Sequence, residues 1–149
     1  MRTRRRTVAE QSRARLVELG LPFIAETVIA ETACAHRSKL ELIGRARAAG
    51  YYVALHVLVV PEDLAVSRVA HRVAAGGHDV PVDKIRSGWR RLWPIVGDAV
   101  ALADVATVWD NSKEDGPDQV ALFSDGLPVG APAWPWWAPG ELSERWPRT

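Results

Sequence analysis

The longest apolar run in the chain, Tyr51 to Val60, leaves few architectures open. A strand this continuously apolar is read as a parallel strand buried on both faces. Gly50 precedes it and Pro61 stops it. Pro61-Glu62-Asp63 then opens a helix: proline suits the first helical turn, and acids are favourable at the positive end of the helix dipole. Upstream, His36 to Ala49 reads as a helix, with Leu40, Ile43 and Ala46 stepping along one side and Lys39, Arg45 and Arg47 available for the wet side. Before that, Pro22 to Ile29 is short, apolar and partly β-branched, and reads as a buried strand. Strand, helix, strand, helix is the βαβ pattern of a parallel α/β sheet.

The rest of the chain fits around that unit. In the helix after Pro61, Leu64, Val66, Val69, Ala70 and Val73 form an apolar stripe. Arg68 and Arg72, one turn apart, project from one face with His71 beside them. Gly76-Gly77 permits close backbone approach, His78-Asp79 sits in a loop, and Pro81 starts a further helix. Its apolar side is Ile85, Trp89, Leu92, Val96 and Val100, while Arg86 and Arg90 share a face. Pro94 and Gly97 are expected to kink or divide it. Val105 to Trp109 reads as a third buried strand, running into the turn triplet Asp110-Asn111-Ser112. Val120 to Phe123 and Leu127 to Val129 form a small hairpin around Ser124-Asp125-Gly126. At the start, Thr7 and Glu10 have capping-box spacing for a helix that ends at Leu19 and Gly20. The organisation expected is a domain over residues 1–130 and a Trp/Pro-rich tail over 131–149. That tail, with Trp134-Pro135-Trp136-Trp137, is too apolar to float free. It is expected to lie across the domain as an irregular strap; a partner-binding patch is the alternative.

A length of 149 residues suits one domain, and a net charge of +1 gives no global drive toward nucleic acid or anionic membrane. The one cysteine, Cys34, excludes an internal disulfide and fits a reducing cytoplasm. No apolar run approaches the ~20 residues of a membrane span, and no signal-peptide core follows the basic N-terminus. Arg2 to Arg6 reads as a solvated tail, with nucleic-acid contact as the weaker alternative.

Two sets of residues carry candidate chemistry. Glu26 and Thr27 sit inside the Pro22 to Ile29 strand. A carboxylate there costs several kcal/mol unless paired, so Glu26 either faces a ligand cleft or pairs with a helix arginine. Arg68 and Arg72 repel each other by a few tenths of a kcal/mol unless an anion joins them. They form either a phosphate clamp or a solvated face with acidic partners.

The run Arg-Val-x-x-Arg-Val-x-x-Gly-Gly-His-Asp-Val-Pro from Arg68 to Pro81, with Ile85-Arg86 and then Asp110-Asn111-Ser112, resembles the zeta-toxin-like P-loop kinases. So do Phe23-x-x-Glu26-Thr27 and Gly50-Tyr51 before a long apolar strand. The resemblance spans roughly Val8 to Phe123. It implies a three-layer α/β/α P-loop NTPase-like fold and ATP-dependent phosphorylation of a small molecule of nucleotide-sugar type, UDP-N-acetylglucosamine in the characterised case, with Mg²⁺. It implies phosphate or nucleotide contacts from Arg68, Arg72, His78 and Arg86, and substrate contacts from Glu26, Thr27 and Asp79. Where the family has Ile-Arg-x-Arg-Tyr, this chain has Ile85-Arg86-Ser87-Gly88-Trp89 and lacks the second arginine.

A phosphoryl-transfer site of this type needs G-x-x-x-x-G-K-[ST] to cradle phosphates and hold Mg²⁺, and the sequence contains no Gly-Lys pair. The family's catalytic aspartate falls before the point matched by the first residues. The expectation is therefore the C-terminal portion of a kinase, inactive as it stands, or a non-catalytic remnant that binds a phosphorylated ligand or a partner. Without the P-loop strand, the Phe23 and Tyr51 strands are expected to pair directly, or to leave edges that a second copy or a protein partner covers.

Overall fold

The computed structural model describes residues 11–12, 14–23 and 37–148. Helical residues 14–19 form α1. There follow α2 (Ser38–Ala48), β1 (Ala54–Val59), α3 (Glu62–Ala74), α4 (Val82–Leu102), β2 (Val105–Asp110), β3 (Asp118–Ser124), β4 (Leu127–Pro128) and α5 (Gly140–Ser143). Arg2 to Arg6, the Thr7/Glu10 capping box, Glu26 and Thr27 with most of their strand, and Cys34 lie outside the described residues.

Among the described residues the chain is mixed α/β, with a four-stranded sheet in the order β1-β2-β3-β4. β1 and β2 are parallel, from Ala54 opposite Val105 to Val59 opposite Asp110. The long connection through α3 and α4 is what a parallel pair requires. β3 turns back antiparallel on β2, with a register shift at Val108/Trp109, and β4 pairs antiparallel with β3. The turn uses Asp125 and Gly126 at φ +48° and +76°.

One face of the sheet makes the core. Val57, Val59, Ala106, Val108, Ala121 and Phe123 meet Leu92, Trp93 and Val100 of α4. The tail closes the same core. Trp134, Leu142 and Trp146 are buried in it, and Phe123 lies 4.7 Å from the Trp146 ring and 6.5 Å from Trp134. The Trp134 indole N–H donates to the Trp146 carbonyl at 2.7 Å. Each such buried side chain contributes about 1.5–3 kcal/mol relative to exposure. Beyond β4, Val129 N–H and Ala133 N–H donate to the Leu122 and Val120 carbonyls, which carries the tail along the outer edge of β3. The tail also winds the single turn α5, and two residues beyond it Arg145 meets Asp98 of α4 at 3.0 Å.

Two local expectations need correction. β1 is not buried on both faces among the described residues: Val57 and Val59 are buried, whereas Ala54, His56 and Leu58 are exposed. The helix packed on β1, α4, covers the Val57/Val59 side alone. α4 is also not divided. It runs as one helix of 21 residues through Pro94 and Gly97. Pro94 is exposed, so the Arg90 carbonyl that loses its partner can turn to water, and Gly97 is buried where a Cβ would come 3.2 Å from the Arg145 guanidinium.

At the opposite end of the sheet Arg47 fixes α2. Its guanidinium donates to the Leu102 carbonyl at 2.9 Å and meets Asp104 at 3.0 Å, while Asp104 accepts from the Val53 N–H at 2.7 Å. The Tyr51 hydroxyl lies 2.8 Å from the carbonyls of both Leu16 and Leu21, and so anchors the end of α1.

Candidate functional site

β1 and β2 end side by side at Val59 and Asp110. In open α/β sheets, ligands bind beyond the carboxyl ends of such strands, and Arg68, Glu62, Arg86 and Arg90 are tied to this edge. The Asn111 N–H donates to the Val59 carbonyl at 2.9 Å, which extends the ladder past β2. The Ser112 N–H donates to Asp110 Oδ1 at 2.9 Å, an Asx turn. The Asp110-Asn111-Ser112 triplet is thus a fixed corner.

Arg68 reaches this corner from α3. Its Nη2 donates to the Asn111 carbonyl at 2.8 Å in half-buried surroundings. From α4, Trp89 Nε1 donates to the Val60 carbonyl at 3.0 Å and holds the end of β1. Both strand ends are therefore tied to helices by side chains.

Arg72 stands one turn after Arg68, exposed and with no side-chain polar partner among the described residues. The α3 terminus beneath it is closed by the Gly77 N–H donating to the Arg72 carbonyl at 2.9 Å. That close return needs glycine, since a Cβ on Gly77 would lie 2.8 Å from the same oxygen. His71, His78 and Asp79 are also exposed, and none has a side-chain polar partner among the described residues.

Arg86 is placed differently. It contacts Glu62 at 3.1 Å and Asp63 at 2.8 Å, the two acids that open α3. Arg90, one turn on, grips the same Glu62 with a two-pronged contact: Nε to Oε2 at 3.1 Å and Nη2 to Oε1 at 3.0 Å. Gly88 carries no side chain, so the second guanidinium beside Arg86 comes from Arg90. Partial burial pushes the Glu62 carboxyl up, but hydrogen bonds from Arg90 and Arg86 outweigh it and hold Glu62 below its ordinary value. Asp63 first, and then Glu62, raise Arg86.

The structure therefore ties Arg68 of α3 to the Asn111 corner, leaves Arg72 exposed one turn along the helix, and gives Arg86 acidic partners. Sequence reading missed Glu62 and Arg90 as a pair, and missed the Asn111 carbonyl as the partner of Arg68. Glu62 was read only through its place at the start of α3, and nothing local points to arginines 24 and 28 residues away.

The donor set suits an anion. Among the described residues no group of three His, Cys, Asp or Glu could hold a metal ion, and no helix is long and apolar enough to cross a membrane. With no Gly-Lys pair in the 149 residues, the residues present do not by themselves fit a Mg²⁺-bound nucleoside triphosphate.

A protein-family model described as Zeta toxin matches residues 2–113. That span ends just past the Asp110-Asn111-Ser112 corner and leaves β3, β4 and the tail beyond it. No curated protein and no solved structure matches the chain.

Proposed function

The chain belongs to the Zeta toxin family, and on that premise we propose that it binds a phosphorylated small molecule at the carboxyl edge of β1 and β2. In this reading the described residues are the phosphate-facing and substrate-facing part of a three-layer P-loop kinase of nucleotide-sugar type. Arg72, with Arg68, His78 and Arg86, is assigned to phosphate and Asp79 to the substrate; Glu26 and Thr27, the other substrate residues the family implies, lie outside the described residues. The observation that carries the reading is the contrast on α3. Arg68 is fixed to the Asn111 corner, while Arg72, one turn along, holds an exposed positive charge with no partner among the described residues. An anion placed against Arg72 would be met by a guanidinium, the donor best shaped for phosphate.

ATP and Mg²⁺ are expected of the family, but no phosphoryl-transfer step follows from these residues, because the glycine-rich cradle and its lysine are not among them. The absence of a Gly-Lys pair favours a second reading, in which the chain binds the phosphorylated ligand without turning it over.

Isothermal titration with pyrophosphate and with UDP-N-acetylglucosamine tests binding; incubation with Mg²⁺-ATP and the nucleotide sugar tests transfer. We expect binding that Arg72→Ala weakens about tenfold, the effect of losing one charge-assisted contact, and no transfer by these residues alone. No heat of binding with either ligand would overturn the proposal, and transfer would overturn the second reading.

A further inference from the structure

We propose that Arg90 of α4 joins Arg86 in one anion subsite at the carboxyl edge of β1 and β2, and that the Glu62 carboxylate is its internal competitor. The inference rests on the reading that a phosphorylated ligand binds at this edge of the sheet.

Two guanidiniums one helical turn apart repel each other unless an anion sits between them. Here one does. Glu62 accepts three hydrogen bonds, from Arg86 Nη1, Arg90 Nε and Arg90 Nη2, all between 3.0 and 3.1 Å. The Arg90 contact is the parallel fork that guanidinium makes equally with carboxylate or phosphate. The arginines thus already hold the geometry of an oxyanion site, with the protein's own carboxylate in place of a ligand.

Access favours exchange. The side chain of Glu62 is 19% exposed, but those of Arg86 and Arg90 are 37% and 68% exposed. An incoming anion can reach both guanidiniums without opening the core. Asp63, the other acid on Arg86, is 86% exposed, and water can replace its contact at little cost. The Glu62 backbone follows Val60 and Pro61 directly at the end of β1, which Trp89 holds. The subsite therefore lies at the strand end beside the proposed ligand. A phosphoryl group entering there takes the place of Glu62 on Arg90, and its affinity is lowered by whatever the Glu62 contact was worth.

The test is titration of pyrophosphate, at fixed ionic strength, into the wild-type chain and into Glu62→Gln, Glu62→Gln/Arg90→Ala and Asp63→Asn. Glu62→Gln keeps the shape and removes the charge. We expect it to bind pyrophosphate about tenfold more tightly, the scale of one charged hydrogen bond released. The gain should vanish in Glu62→Gln/Arg90→Ala and be smaller in Asp63→Asn. A folded Glu62→Gln, by circular dichroism, with unchanged or weaker affinity would overturn the competitor. If Glu62→Gln does not fold, Glu62→Asp, which keeps the charge but shortens the side chain and draws it back from the Arg90 fork, carries the test, and unchanged affinity there overturns it. Binding that is lost in Arg72→Ala but unmoved in Glu62→Gln would sink the competitor and leave the ligand reading standing. No binding by wild type or Glu62→Gln would sink both.

Discussion

Arg68 and Arg72 have the same charge and the same helix but different surroundings, and the structure separates what each does for stability. Arg68→Ala removes a guanidinium–carbonyl hydrogen bond at 2.8 Å and leaves the Asn111 carbonyl without that donor. Hydrogen bonds to charged groups contribute roughly 1.5–3 kcal/mol. Because Arg68 is half-buried, water can partly replace it, so the loss should fall near the lower end, about 1.5–2 kcal/mol. For a domain of about this size, 1 kcal/mol moves Tm by roughly 2–4 °C, which places the expected fall at about 3–8 °C. Arg72→Ala removes an exposed side chain with no partner among the described residues. Such changes stay within about 0.5 kcal/mol, or roughly 2 °C. Thermal unfolding followed by circular dichroism, with urea unfolding to confirm an unchanged m, measures both. Equal shifts for the two variants, or no shift for Arg68→Ala, would refute the assignment of Arg68 to the Asn111 corner.

Trp134→Phe should cost about 1 kcal/mol more in urea unfolding than Trp93→Phe: Trp134 donates to the buried Trp146 carbonyl, whereas the buried Trp93 indole nitrogen has no partner. Gly77→Ala would force a Cβ to 2.8 Å from the Arg72 carbonyl oxygen; it should lower stability by at least about 1 kcal/mol and weaken pyrophosphate binding, since Arg72 ends up displaced. The Glu62 carboxyl is held below its ordinary value of 4.5, so its contribution to stability is complete above that pH and is lost as pH falls through the lowered value. Wild type should therefore lose stability between about pH 5 and 3 more steeply than Glu62→Gln, as read by urea midpoints across that range.

The two strands of the parallel pair were legible because their signals are local, but their pairing was not: the partner expected for the Tyr51 to Val60 run was the Pro22 to Ile29 strand, most of which lies outside the described residues. The run from Tyr51 to Val60 is bounded by Gly50 and Pro61, and the Asp110-Asn111-Ser112 triplet marks the end of its neighbour. Single-sided burial of β1 was not legible, because Ala54 and Leu58 are as apolar as Val57 and Val59, and only the position of α4 separates them. Pro94 misled because its cost depends on which way the freed carbonyl faces, and here that side is exposed. The tail's apolar character was plain from Trp134 and Trp146, but a single turn such as Gly140–Ser143 leaves no periodicity to read. At the site, spacing placed Arg86 and Arg90 on one face without naming what they touch. Glu62 was visible only as a helix-opening acid, since its partners come from the far side of the α3–α4 connection. Arg68 could not be told from Arg72 by sequence, because its partner is a main-chain carbonyl, which every residue has.

Whether a phosphorylated ligand seats at the carboxyl edge of β1 and β2 can be read from the indole N–H resonances of the seven tryptophans in a ¹⁵N-labelled chain titrated with pyrophosphate. The Trp89 indole, which lies between Arg86 and Arg90 in sequence and bonds the Val60 carbonyl, should move in proportion to saturation, while the Trp134 indole, bonded to Trp146 in the core, stays in place. A shift at Trp134 with Trp89 unmoved would put the ligand elsewhere and contradict the account.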